Sequence, residues 1–174
     1  NEPNLDGFFA GKQEDYFTLY DWTARAVKKA CPECRVGGPA TAGNAWIPEM
    51  ITHCQTAGVP LDFVSTHDYS IVRGFVDPKG DQATVLDTNP NAITANVLKS
   101  RQQVSESAMP KLELHYTEWS SSYTPSDPVH DVYQQASFIL DKVKNAGTAA
   151  ESMSYWTFTD IFEEAVPPPV PFHG

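Results

Sequence analysis

Short stretches of strand character, each followed by a longer stretch at helical spacing, recur down this chain, and that recurrence restricts its fold more than any other feature. Gln13 to Lys29 sets Tyr16, Phe17, Leu19, Tyr20, Trp22, Ala24, Ala26 and Val27 among charged residues, a broad apolar stripe that predicts a first helix. Pro32 and the Cys34 to Gly38 segment stop it. Arg35 to Ala40 then reads as a short strand whose Gly37 and Gly38 let a loop or ligand come close. Trp46 to Gln55 predicts a second helix, with Pro48 in its first turn and Gly58 closing it, and Leu61 to His67 a second strand. Trp22 and Trp46 read as core or interhelical packing. Ile71 to Thr88, broken by Gly74, Asp77, Pro78 and Gly80, reads as a long loop with a binding role or no fixed structure.

Asn91 to Glu106 resumes the helical pattern through Ile93, Val97, Leu98 and Val104, before Pro110. Leu112, Leu114 and Tyr116 recur with period two and open the next strand. Pro128 to Asn145 predicts a fourth helix, with Asp127 as N-cap, an apolar face of Val132, Tyr133, Ala136, Ile139, Leu140 and Val143, and Gly147 as its stop. Ser152 to Phe158 is the last strand, and Pro167 to Pro171 reads as extended, polyproline-like backbone. Such alternation predicts an α/β fold with a parallel sheet covered by helices, and a (β/α)8 TIM barrel is its usual closed form. Every polar strand ending is a C-terminal ending, where barrels of this kind build their sites. Only four full strands are present, whereas a barrel takes about 250 residues. Residues 1–174 therefore read as one partial domain, from the end of strand 4 through strand 8, without the first half.

The 174 residues, 41% hydrophobic, suffice for one sizeable core, and no uninterrupted apolar run approaches the length of a membrane span. Twelve Lys and Arg against 22 Asp and Glu give a net charge of −10 without a basic cluster, which argues against nucleic acid or anionic lipid as partner. Three cysteines argue against a disulfide framework. Cys31 and Cys34 have the spacing of a redox pair or half a zinc site, but no second Cys/His pair completes a ligand set, so they read as incidental. No charged n-region with an apolar h-region is present and the address cannot be read from the chain, so the location stays unknown, with cytoplasmic or periplasmic expected over secreted.

The polar segment after Tyr116 puts a carboxylate, Glu118, at the C-terminal lip of its strand. Asn1-Glu2-Pro3-Asn4 supplies a second, because Pro3 cannot donate to a ladder and so marks the passage from ordered strand to loop. Two glutamates at two strand ends suit double-displacement glycoside hydrolysis. His67 and Tyr69, two apart, share one strand face.

Asn1-Glu2-Pro3 and Thr117-Glu118-Trp119 resemble the strand-four and strand-seven motifs of a large clan of (β/α)8 retaining glycosidases. Arg35 to Ala40, Thr66-His67-Asp68-Tyr69, Ser120 to Pro125 and Ser154 to Phe158 followed by Phe162-Glu163-Glu164 extend the likeness over essentially the whole chain. The chain is similar to glycoside hydrolase family 39 β-xylosidases. That resemblance implies a retaining exo-glycosidase releasing xylose from the non-reducing ends of xylo-oligosaccharides, with Glu2 as acid/base and Glu118 as nucleophile. It implies substrate contacts from Asn1, His67, Tyr69, Tyr123, Trp156 and Glu163, and neither metal nor cofactor. An α-L-iduronidase-like activity is a sibling reading, and a non-catalytic half-barrel, as scaffold or sugar-binding module, is the alternative class. The front half of the family's barrel has no counterpart here, so the missing half or a complementing chain is the expected partner, and the chain alone is expected to be inactive.

Overall fold

The computed structural model describes residues 1–76, 82–124 and 127–157. Four helices, α1 (Gln13–Ala30), α2 (Ile47–Ala57), α3 (Ala92–Ser105) and α4 (Gln134–Ala146), alternate with the strands of a parallel sheet. Those strands are β1 (Gly37–Ala42), β2 (Phe63–Tyr69), β5 (Glu113–Ser120) and β6 (Ser152–Tyr155), and their order in the sheet, β1-β2-β5-β6, follows the sequence. A doubly wound sheet reverses its order at a switch point; a barrel does not. The helices pack in succession, α1 on α2, α2 on α3 and α3 on α4, so they cover one face and leave the other to the strand ends and the site.

The core lies between sheet and helices. Val64, Leu114, Tyr116 and Trp119 from the strands meet Ile47, Met50, Ile51, Ile93, Val97 and Val104 from the helices, all at most 1% exposed. Gly58 closes α2 in the left-handed region (φ 61°), returning its N–H to the Cys54 carbonyl. At Gly37 an added Cβ would stand 2.4 Å from the Phe63 carbonyl oxygen, so the close approach that the glycine permits is that of the neighbouring strand, not of a ligand.

Several expectations are corrected. The segment expected as a loop holds an antiparallel hairpin, β3 (Ile71–Val76) with β4 (Gln82–Leu86), inserted directly after β2. Gly74 reads as a breaker but sits within β3 opposite Thr84. Cys31 and Cys34 form a disulfide, Cα to Cα 5.3 Å, while Cys54 is free and buried. Four residues span the turn after α1 and bring the two sulfurs together without any framework of distant bridges. Trp22 is 71% exposed and Leu19 48%, so the buried stripe of α1 is narrower than the sequence suggests: Phe17, Tyr20 and Ala24, with Tyr16 and Val27 beside them. The expected fourth helix divides into a 3-10 turn, Pro128–Asp131, capped by the Asp127 carboxylate, and α4 proper. Phe138 of α4 stacks on Trp119, and Lys142 donates to the Pro90 carbonyl; Val132, Tyr133, Leu140 and Val143 point outward. The strand expected over 152–158 ends at Tyr155, and Phe158, Glu163 and the proline run lie outside the described residues.

Candidate active site

Glu2 is placed by two anchors on the edge of β1. Its N–H donates to the Ala40 carbonyl at 2.9 Å, and the Asn4 side-chain amide pairs with both backbone groups of Ala42, at 2.9 and 3.0 Å, as another strand would. Glu2 and Ala40 both adopt left-handed backbone, φ 39° and 53°, which costs a residue with a Cβ about 1–2 kcal/mol. Strain of this kind persists where surrounding bonds over-determine it and concentrates at functional sites.

Glu118 reaches the same place through a bulge. Continued alternation along β5 would send Glu118 to the side of Leu114 and Tyr116, against the helices. Instead Tyr116 pairs with Thr66 and Glu118 with His67, leaving Thr117 as the extra residue. Tyr116 and Trp119, three apart, consequently both face the helices, and Glu118 between them faces the open side. There the Tyr69 hydroxyl donates to Glu118 Oε2 at 2.9 Å. His67 Nδ1 lies 2.9 Å from Glu2 Oε1 and 3.5 Å from Glu118 Oε2. A carboxylate oxygen of Glu2, the His67 nitrogen and a carboxylate oxygen of Glu118 all lie within 4.8 Å of one another.

Glu2 is 8% exposed and His67 2%, so these charges meet in a poorly solvated setting. Burial, and secondarily the negative charge and hydrogen bond of Glu118, hold the Tyr69 phenol well above its ordinary value, so it stays a donor. Among the described residues this is also the one cluster whose donors gather closely enough for a cation. Within it, His67 Nδ1 and Glu2 Oε1 stand at hydrogen-bonding distance, 2.9 Å.

Of the other sequence candidates, Tyr123 packs edge-on against Tyr69, with ring centroids 5.8 Å apart. Trp156 lies just past β6, 44% exposed, its N–H on the Trp119 carbonyl. Asn1 is exposed and takes no part in the cluster's hydrogen bonds. Glu163 lies outside the described residues. Sequence reasoning gave no role to Asn44, Asp68 and Tyr116, which form a polar network directly behind the cluster; the alternation that pairs His67 with Tyr69 also sends Asp68 to the other face. A separate cleft of about 540 Å3 on the helical side, lined by Phe17, Pro48, Glu49, Thr52, His53 and Ala57, shares no residue with the carboxylates.

A sequentially ordered parallel sheet, helices on one face and a polar cluster at the C-terminal strand ends together define an arc of a (β/α)8 barrel with its rim site. The chain belongs to the glycosyl hydrolases family 39, whose model matches residues 1–174. It is 44% identical over 176 residues to a β-xylosidase of Caldicellulosiruptor saccharolyticus, a match covering all of this chain and 35% of that protein. Among solved structures, a monomeric β-xylosidase from Caulobacter crescentus superposes with a TM-score of 0.91 at 51% identity, over all of this chain and 36% of that one. The family 39 enzyme of Xanthomonas axonopodis pv. citri gives 0.91 at 50%, over all of this chain and 35% of that one. The chain thus spans about a third of the length of the relatives it matches.

Proposed function

We propose that this chain carries the two catalytic carboxylates of a retaining exo-glycosidase that removes xylosyl residues from the non-reducing ends of xylo-oligosaccharides. The observation that carries the reading is the approach of Glu2 and Glu118 oxygens to within 4.8 Å. Retaining enzymes hold their carboxyl groups about 5–5.5 Å apart, whereas inverting ones need about 6.5–9.5 Å to seat a water between carboxylate and sugar. Glu118 attacks the anomeric carbon as Glu2 protonates the departing oxygen, giving a glycosyl ester on Glu118. Glu2 then takes a proton from water as that water displaces Glu118 from the sugar. Tyr69 engages Oε2 of the nucleophile, leaving Oε1 to attack, and His67 bridges the two acids. Tyr123 and Trp156 are proposed as aromatic contacts for the sugar, and Asn1 and Glu163 as hydrogen-bonding partners of its hydroxyls. The xylosyl preference rests on the β-xylosidases named above.

The chain acts together with the remaining part of a barrel and is inactive alone, because four strands supply only part of the wall around a sugar. The test is fusion of this chain to the portion of the Caulobacter crescentus enzyme that it does not match, followed by assay on p-nitrophenyl β-D-xyloside. Glu118→Ala is expected to lower turnover by about 10³-fold or more, with azide restoring it and yielding the α-glycosyl azide. Glu2→Ala with azide should yield the β-anomer instead. A 2-fluoroxylosyl adduct on any residue but Glu118 would refute the assignment.

A further inference from the structure

Behind the carboxylates, on the helical side of the sheet, lies the polar network that the chemistry above does not use. Asp68, 4% exposed, accepts from Asn96 Nδ2 of α3 at 3.0 Å and also from the Asn44 side chain and the Tyr69 backbone. Asn44, in the turn after β1, is the hub. Its Oδ1 accepts from Ser100 Oγ at 3.1 Å and from the Tyr116 hydroxyl, and its amide nitrogen is left to donate to Asp68. Its neighbour Gly43 donates its N–H to the His67 carbonyl at 2.9 Å. One turn therefore grips β2 at residues 67 and 68 and β5 at residue 116, the positions bordering the bulge at Thr117.

The alternative to that bulge is a regular ladder. It would set Thr117 opposite His67 and Glu118 opposite Asp68, bringing two carboxylates together on a buried face, where like charges oppose pairing. We infer that Asn44 and Asp68 are positioning residues, Asn44 by tying β2 to β5 across the bulge and Asp68 by excluding the regular register, so that Glu118 comes to lie against His67 and within reach of Glu2. The inference rests on the glycosidase reading above and adds to it a second set of side chains that never touch substrate.

The test uses the fused enzyme and two substitutions. Asn44→Gly deletes the amide but suits the left-handed backbone at this position (φ 62°), and Tyr116→Phe deletes a single hydroxyl. Displacement of a reacting group by about 1 Å can cost 10²-fold, so Asn44→Gly is expected to lower kcat about 30-fold and Tyr116→Phe about fivefold, with KM within about threefold in both. Trapping by 2-fluoroxyloside should slow in proportion to kcat, and amide hydrogen exchange at Thr117 and Glu118 should quicken. A folded Tyr116→Phe enzyme with kcat within about twofold of the parent and unchanged exchange at these amides overturns the inference, even if Asn44→Gly fails to fold. Glu118→Ala in the same background keeps the failures apart: if it retains turnover, the glycosidase reading itself is wrong.

Discussion

Tyr69 donates to the oxygen of Glu118 that does not attack in the proposed step. A hydrogen bond to a charged acceptor contributes about 1.5–3 kcal/mol, so Tyr69→Phe is expected to reduce kcat about 10- to 100-fold in the fused enzyme, as steady-state kinetics would measure. Asp68 makes a different prediction. Burial pushes its carboxyl up to about 7 from an ordinary 3.8, despite the donors from Asn96, Asn44 and Tyr69. Because the folded value lies above the unfolded one, the protonated form favours folding below about pH 3.8, and that advantage is lost as pH rises through 7. The loss amounts to about 4 kcal/mol once the group is ionised in both states. Urea unfolding from pH 4 to pH 9 should show Asp68→Asn losing less stability than the parent. A constant difference between the two across that range would show that Asp68 does not titrate with folding. The shared face of His67 and Tyr69 was legible from their spacing, but nothing local says that Tyr69 meets a glutamate 49 residues beyond it and His67 one 65 residues before it.

At the scale of elements, α3 is joined to the opposite end of the sheet by Arg101. Its guanidinium reaches the Ala149 carbonyl at 2.7 Å, the Leu112 carbonyl at 2.9 Å and Glu151 Oε2 at 2.7 Å, and that same carboxylate oxygen accepts the Leu114 N–H. Arg101→Ala leaves two carbonyls and a partly exposed carboxylate without this donor, and a loss of about 1–3 kcal/mol in urea unfolding is expected. The helices were legible because apolar spacing recurs within each of them. The division before α4 was not, since Val132 and Tyr133 continue the apolar pattern across the break, and the side that packs is set by tertiary contacts such as Phe138 on Trp119 and Gln135 on the Tyr155 hydroxyl. The β3–β4 hairpin was hidden for a related reason: Asp77, Pro78 and Gly80 are breakers by residue type and say nothing of the segments on either side, whose pairing with each other makes them strands.

For the whole molecule the expectation is cooperative. The chain alone should show no xyloside turnover above background, and the fused barrel should restore it; turnover by the purified 174-residue chain as a monomer would contradict the proposal. Exposed Leu140 and Val143 of α4 and Trp22 of α1 should lose accessibility to solvent labelling in the fused enzyme if the added segment packs beside these helices. Local periodicity and residue type carry the alternation of strand and helix, the polar C-terminal strand ends and the placing of Glu118 at one of them; Glu2, expected at another, follows no strand among the described residues and is held beside β1 by its own N–H and the Asn4 amide. Tertiary structure alone decided that Glu118 faces Glu2 and His67: a strand's alternation is interrupted wherever its pairing requires an extra residue, and that requirement belongs to two strands some fifty residues apart.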